Sequence, residues 1–216
     1  MAWPELIELG RIVGQKPPST PPSAKFDPRW KWTLALVRQL IASEGESGKV
    51  VVMAASPKVV LNLEKFFKAE SGLKIAIFHE GLSLVERDRQ AAYFADPQGA
   101  HILLSSEIGG EGRNFQFCHH LVLFDLPVHP DALEQRIGRL DRIGQSQTIQ
   151  VHVPYVEGTP SEALLRWYEA LGAFREPQTG GEHLLERLAQ ALYQTFSKYA
   201  QATGQERVQL LEQLIA

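Results

Sequence analysis

Five short runs of apolar and β-branched residues recur along the middle of the chain and constrain its fold more than any other feature. They occupy residues 49–55, 74–78, 101–105, 120–124 and 148–153. Nearly continuous apolar runs are typical of strands that are buried on both faces of a parallel sheet. Apolar residues at helical spacing separate most of these runs. Strands that alternate with helices in this way predict an α/β fold with a doubly wound, mostly parallel sheet.

Small polar and charged residues follow the first four runs, at the position where ligands bind in doubly wound sheets. The carboxyl ends of parallel strands meet at the same edge of the sheet, so we expect these residues to lie along one edge. They are Ser56, His79, Glu80, Gly81, Ser105, Ser106 and Asp125.

The segment between Asp131 and Gly144 is predicted to form one short helix. Asp131 and Glu134 have the spacing of a capping pair, and Gly144 is a natural stop at the carboxyl end. The helical interpretation matters because it fixes which side chains of the segment share a face.

Arg139 and Arg142 would lie on one face of that helix together with Gln135, opposite the apolar side chains. No acidic residue lies three or four positions from either arginine. Two guanidinium groups on a rigid element suit bidentate binding of phosphate oxygens. A solvated basic face, or pairing with carboxylates elsewhere in the fold, is the alternative interpretation.

A glycine-rich loop follows the third run. Gly109, Gly110 and Gly112 can bring backbone N–H groups close to an anion, although such loops also simply turn the chain. The sequence contains no Gly-x-x-x-x-Gly-Lys-Ser/Thr loop of its own. The arginine pair therefore lacks a nucleotide-binding loop on the same chain.

Two other chemistries fit the sequence less well. A hydrolase triad of Ser105, His119 and Asp125 is disfavoured because Ser105 lies outside a Gly-x-Ser-x-Gly elbow and His119 precedes a strand. The seven histidines and one cysteine show neither His-x-x-x-His nor Cys-x-x-Cys spacing, so we expect no metal site.

Composition narrows the possible partners and the compartment. A net charge of −3 and a pI near 6.2 mean that any contact with nucleic acid must be local. The single cysteine, Cys118, predicts a structural thiol and a reducing compartment. No signal peptide and no apolar stretch of about 18 residues are recognisable, which predicts a cytoplasmic protein with no membrane partner.

The chain is predicted to have three parts. Residues 1–24 form an extension with a proline-rich linker, residues 25–158 form the α/β domain, and residues 159–216 form a helical extension. In the last part, Thr-x-x-Glu capping boxes begin at Thr159, Thr179 and Thr203. The final helix remains amphipathic to the last residue, so we expect the natural protein to continue beyond Ala216.

Several of these segments together resemble superfamily 2 helicases. Residues 135–145 resemble the sixth helicase motif in the form used by chromatin-remodelling-type ATPases, residues 105–114 resemble the fifth motif and residues 49–56 the fourth. Their order and spacing are more specific than any single motif. Gly138 and Asp141 depart from the wider remodeller pattern, which favours a bacterial branch that associates with RNA polymerase.

The resemblance implies a second RecA-like lobe, the helicase C-terminal lobe, whose first lobe carries the P-loop and the acidic motif that holds Mg²⁺. ATP would bind between the lobes, with Arg139 and Arg142 acting as arginine fingers on its phosphates. Gln135, Gly110 and Gly112 would help to shape that face. The implied partners are the first lobe of the same full-length protein, a DNA or RNA backbone, and RNA polymerase.

The resemblance also implies which residues contact the nucleic-acid backbone: Ser56, His79, Gly81, Ser105 and Ser106. Ordinary loop capping is the alternative role for each of them. A protein-docking module for RNA polymerase without a nucleotide role is the alternative function, motivated by apolar faces expected to be exposed on residues 6–13 and 208–215.

Overall fold

The computed structural model describes residues 4–16, 27–45, 48–106, 115–176 and 181–215. Its strands are β1 (Val50–Ala54), β2 (Ile75–Phe78), β3 (Ile102–Ser106), β4 (His120–Leu123) and β5 (Gln150–His152). Its helices are α1 (Pro4–Val13), α2 (Arg29–Glu44), α3 (Pro57–Glu70), α4 (Leu84–Ala95), α5 (Pro130–Ile137), α6 (Pro160–Ala170), α7 (Gly181–Tyr199) and α8 (Gln205–Ile215).

The five strands form one sheet in the order β2-β3-β1-β4-β5, and every pairing between neighbours is parallel. In the central strand β1, Val52 is in register with Leu104 on one side and Val122 on the other. All five residues of β1 are buried, as the continuous apolar run predicts. The predicted α/β fold with a parallel sheet is confirmed.

The core beside this sheet is built by α2 and α3. Leu34 and Val37 of α2 and Leu63 and Phe67 of α3 are buried against apolar residues of β1 and its neighbours. Burying a side chain of this size contributes roughly 1.5–3 kcal/mol of stability. The helical spacing of these residues is therefore what ties both helices to the sheet.

The chain divides into two compact units. The sheet unit contains the strands with α2, α3 and α4 and runs through Pro28–Asp125 and Gln135–Pro154. The helical unit contains α1, α6, α7 and α8. None of the helices in the described ranges has the length and apolarity needed to cross a membrane.

Within the helical unit, α1 packs against α7 and α6. Leu6 and Leu9 are fully buried there, and the Tyr193 hydroxyl donates to the carbonyl of Lys16 at 2.8 Å. The expectation of an exposed apolar face over residues 6–13 is therefore wrong. Apolar residues at helical spacing look the same in sequence whether they contact a partner or another part of the same chain.

The helix predicted between Asp131 and Gly144 is also wrong in its bounds. Helix α5 begins at Pro130, which places Asp131 inside the first turn, and it ends at Ile137. Gly138 follows, and glycine costs roughly 1 kcal/mol relative to alanine inside a helix. A tighter turn then forms, in which the Leu140 amide donates to the Ile137 carbonyl at 3.0 Å. Gly144 adopts a positive φ of 101°, but in a later turn.

The predicted capping boxes are not found where the structure describes them. Thr159 precedes α6, but its hydroxyl donates to the Val156 carbonyl, and the Glu162 carboxylate accepts from the Gly158 amide. Thr203 lies two residues before α8 begins, and Thr179 lies outside the described residues. A complete capping box instead joins Ser83 to Glu86 at the start of α4.

Two buried polar side chains brace the amino ends of the strands. The Lys49 ammonium donates to the carbonyls of Asp96 and Ala100, each at 2.7 Å, and burial lowers its pKa. The Cys118 thiol donates to the Lys49 carbonyl at 3.1 Å, and burial raises its pKa to about 12. A thiol that remains protonated at neutral pH is unreactive, which confirms the predicted structural role of Cys118.

Candidate nucleotide and nucleic-acid interface

The carboxyl edge of the sheet gathers residues that the sequence places after separate strands. Ser56 follows β1, His79 follows β2, Ser105 and Ser106 end β3, and Asp125 follows β4. Because all the strands are parallel, these positions lie at the same edge. The predicted arrangement at this edge is therefore present within the sheet unit.

Ser56 forms the amino-terminal cap of α3. It has an extended backbone, and its hydroxyl accepts a hydrogen bond from the Val59 amide at 3.4 Å. Pro57 follows at the first helical position, where a missing N–H is tolerated. Ser56 is half-buried, and its hydroxyl is already engaged in this cap.

The loop after β2 is held in one shape by its own side chains. The Gly81 amide donates to Nδ1 of the buried His79 at 3.1 Å. A Cβ at Gly81 would lie 3.0 Å from two atoms of that ring, so glycine is needed for the close approach. Arg87 donates to the carbonyls of Leu82 and Glu80 at 3.0 and 2.8 Å. The structure thus shows Arg87 as a positioning residue that the sequence alone did not reveal.

Ser105 and Ser106 both point their hydroxyls at other protein groups. Ser105 donates to the carbonyl of Ser106 at 3.0 Å, and Ser106 donates to the Glu80 carboxylate at 2.7 Å. Both serines are buried. The second hydrogen bond joins the carboxyl ends of the neighbouring strands β2 and β3, so these side chains support the edge from inside.

A buried ion pair stands at the end of β4. Arg136 of α5 donates to the Asp125 carbonyl, and its guanidinium lies 3.7 Å from the Asp125 carboxylate. Arg136 is only 2% exposed. Sequence reasoning missed this role, although a signal was present: Arg136 lies three residues after Leu133 and four before Leu140, both fully buried, and hence on the apolar face.

The two predicted finger arginines lie beyond the end of α5. Arg139 is half-buried and its backbone carbonyl accepts from the Phe115 amide at 3.3 Å. Arg142 is exposed, and its Nε donates to the Gly138 carbonyl at 3.1 Å. Gln135, within α5, is exposed. A series of turns, and not the predicted helical face, therefore sets the positions of the two arginines.

The glycine-rich loop and the hydrolase triad are the other two features that the sequence placed near this edge. Gly110 and Gly112 lie outside the described residues. Ser105 and His119 lie at opposite ends of their strands, because Ser105 is near the end of β3 and His119 immediately precedes β4. Parallel strands carry these residues to opposite edges of the sheet, which excludes the hydrolase triad.

The edge combines a rigid interior with an exposed cationic segment. The buried hydroxyls, the Asp125 and Arg136 pair and the loop around His79 are all committed to internal contacts. Arg142 and Gln135 are exposed close by in sequence. The internally bonded side chains therefore hold the shape of the edge, and the exposed guanidinium of Arg142 is the group that can contact an anion.

Comparison with known proteins identifies the class to which this fold belongs. Residues 32–144 match the family model for the helicase conserved C-terminal domain, which covers more than half of the chain. Residues 148–216 match the model for the RNA polymerase recycling family C-terminal region. The chain belongs to the helicase C-terminal domain family.

A more specific likeness is to a bacterial protein. The chain is 57% identical over 152 residues to the RNA polymerase-associated protein RapA of Stutzerimonas stutzeri strain A1501. The match covers 69% of this chain but only 16% of that relative. The chain thus spans about a sixth of the relative's length.

Solved structures show the same fold at lower identity. The C-terminal part of the Fun30 ATPase domain matches with a TM-score of 0.58 and 16% identity over 78% of this chain and 54% of that chain. The Sulfolobus solfataricus SWI2/SNF2 ATPase core, solved in complex with dsDNA, matches with a TM-score of 0.55 and 21% identity over 85% of this chain and 35% of that chain. The RecA-like lobe predicted from the sequence motifs is confirmed.

Proposed function

We propose that this chain is the C-terminal helicase lobe of a nucleic-acid-dependent ATPase that acts on RNA polymerase complexes in the cytoplasm. The observation that carries the proposal is the succession of two family matches, a helicase C-terminal domain over residues 32–144 and an RNA polymerase recycling C-terminal region over residues 148–216. On this proposal the isolated lobe has no ATPase activity, since its sequence lacks a P-loop.

In the proposed mechanism Arg139 and Arg142 supply positive charge to ATP that is bound on a first lobe, where Mg²⁺ is also held. Charge that develops on the transferring phosphoryl group is stabilised by guanidinium donors fixed beforehand. Gln135, Gly110 and Gly112 complete the face that meets the nucleotide. The buried Arg136 supports them indirectly, because its contact with Asp125 ties the last turn of α5 to the end of β4 within the sheet unit.

The proposed nucleic-acid track, DNA or RNA, follows the carboxyl edge of the sheet at Ser56, His79, Gly81, Ser105 and Ser106. Since both β3 hydroxyls are engaged internally and buried, backbone N–H groups and the half-buried Ser56 are better placed to bind phosphate oxygens. On this proposal Ser105 and Ser106 position the edge instead of contacting the nucleic acid themselves.

DNA-stimulated ATP hydrolysis tests the nucleotide role. We expect no turnover from residues 1–216 alone and restored turnover when the lobe is joined to its first lobe. Arg139→Ala or Arg142→Ala in the joined protein should slow hydrolysis about a thousandfold or more, because an arginine finger contributes about that much.

Arg175→Ala is the matched control, since Arg175 is exposed and lies in the helical unit. It should leave the rate unchanged. Turnover by the isolated chain, or full activity in both finger variants, would refute the proposed role.

The docking alternative retains one supporting observation. Val208 of α8 is 54% exposed, and α8 lies in the region that matches the polymerase recycling family. If docking is the whole function, the isolated chain should bind RNA polymerase, and a Val208→Asp variant should lose that binding. Both finger variants should then bind RNA polymerase normally and support full activity in the joined protein.

A further inference from the structure

A cluster of titratable side chains lies at the amino edge of the sheet, at the other end of the strands from the carboxyl edge. Glu44 is the last residue of α2, His119 precedes β4 and His120 begins it. One ligand atom from each of these three side chains lies within 4.8 Å of the other two. The Glu44 Oε1 is 3.5 Å from His119 Nε2 and 3.6 Å from His120 Nε2.

His120 points a buried nitrogen into this cluster. The residue is 3% exposed, and its Nε2 has no hydrogen-bond partner among the described residues. Buried polar atoms in folded proteins normally have a partner, so this nitrogen is available to bind a ligand. The opposite ring nitrogen, Nδ1, lies 3.5 Å from Nε2 of His152, the last residue of β5.

The His152 contact orients the ring for metal binding. If Nδ1 of His120 carries the proton and faces His152, then the lone pair of Nε2 faces Glu44 and His119. Histidine ligands commonly use their second ring nitrogen in this way, which fixes the tautomer and the ring plane.

The backbone holds Glu44 close to the histidines. A Cβ at Gly48 would lie 3.0 Å from the Glu44 Cβ and from the Ile41 backbone. Glycine at this position therefore lets the chain leave α2 and enter β1 without pushing the end of the helix away. The Glu44 side chain is 39% exposed while His119 and His120 are more buried, so the cluster is open to solvent on the carboxylate side.

We propose that Glu44, His119 and His120 form a Zn²⁺ site at the amino edge of the sheet. With Zn–N and Zn–O bonds of about 2.0–2.1 Å, ligand atoms around a tetrahedral ion are separated by roughly 3.3–3.4 Å. The two separations that involve Glu44 differ from that value by only a few tenths of an ångström. Two imidazoles and one carboxylate suit zinc better than Mg²⁺ or Ca²⁺, which favour oxygen ligands.

Three protein ligands leave the fourth position open for water or an external ligand, as in non-structural zinc sites. Cys118 does not supply that fourth ligand, since its buried thiol donates to the backbone carbonyls of Lys49 and His120. The bound ion would tie the end of α2 to the start of β4.

Titration of the full 216-residue chain with ZnCl₂, followed by isothermal calorimetry, tests the proposal. We expect one Zn²⁺ per chain at the tightest site, no competition from Mg²⁺, and a higher melting temperature with zinc. Glu44→Gln and His119→Gln should each weaken this binding about tenfold or more, since loss even of an outer-shell partner costs 10–100-fold. These two variants spare the buried His120, and circular dichroism checks that each is folded.

His183→Gln is the matched control. His183 forms an exposed pair with Glu186, its Nδ1 3.5 Å from the carboxylate, but the pair is not part of any group of three or more possible ligands among the described residues. This variant should bind zinc as the unmodified chain does. Absence of saturable binding, or an affinity that either Glu44→Gln or His119→Gln leaves unchanged, would overturn the assignment.

Discussion

At the scale of single residues, the charged side chains near the carboxyl edge of the sheet are either buried and paired or exposed to solvent. Arg136 is almost fully buried and contacts both the carbonyl and the carboxylate of Asp125. A buried charge is tolerated only when a partner offsets its lost hydration. The arginine that lies deepest in the motif is therefore structural, while the exposed Arg142 is available to a ligand.

Replacing the buried arginine tests this division. Arg136→Met should lower the free energy of unfolding by about 3–5 kcal/mol, because it removes a buried cation that pairs with the Asp125 carboxylate. Urea denaturation measures the change. Arg11→Met, at an exposed position of α1, should change stability little. Equal stability of both variants would show that the pair is not needed.

At the scale of secondary-structure elements, the loops that precede the helices at the carboxyl edge are fixed by local caps. Ser56 caps α3 with its hydroxyl, and Ser83 forms a complete capping box with Glu86 at the start of α4. In the box, the Ser83 hydroxyl and amide donate to the Glu86 carboxylate at 2.7 and 2.9 Å. These caps fix the first turns of α3 and α4, each of which follows a strand of the sheet.

The capping box should be visible in the titration of Glu86. Hydrogen bonds from the Ser83 side chain, and then from its backbone, hold the pKa of this carboxyl below its usual value. NMR titration should show that pKa rise in Ser83→Ala. Because the folded pKa is lowered, the stabilisation is present above the usual carboxyl pKa and is lost as pH falls through the folded pKa.

The protection factors of the amides in the first turn of α4 should therefore fall at acid pH in the unmodified chain. Ser43→Ala is a control, since the Ser43 hydroxyl donates to the Leu40 carbonyl within α2. A Glu86 pKa that stays the same in Ser83→Ala would contradict the assigned cause.

At the scale of the whole molecule, two compact units divide the chain, and the division does not follow the sequence in order. Helix α1 belongs to the same unit as α6, α7 and α8, although the whole sheet unit up to Asp125 lies between them in the chain. The helical unit therefore depends on a segment from the start of the chain. Leu6 and Leu9 are the residues of that segment with no exposed surface.

Truncating Leu9 tests whether α1 is integral to the helical unit. Leu9→Ala should destabilise that unit by about 2–5 kcal/mol, since it removes a fully buried side chain. Hydrogen exchange should then become faster in α7 and stay unchanged in β1. Ile12→Ala on the same helix, where Ile12 is 39% exposed, should have a smaller effect. Equal effects of both substitutions would contradict the packing of α1 described above.

The amino-acid sequence by itself determined the sheet, the strands and the identity of the residues at its carboxyl edge. Periodicity of apolar residues is a local signal, and a strand buried on both faces, such as β1, leaves a continuous apolar run in the sequence. The helicase motifs likewise need only order and spacing along the chain. Both signals can be recognised in the sequence without knowing which distant residues are in contact.

Only the tertiary structure decided how charged and polar side chains are partnered. The burial of Arg136 against Asp125 and the packing of α1 against α6 and α7 depend on contacts between separate elements. The grouping of Glu44 with His119 and His120 is of the same kind, because no spacing rule connects the end of α2 to the start of β4. Spacing along a chain predicts neighbours within one helix or strand, whereas burial, pairing and metal ligation arise where separate elements meet.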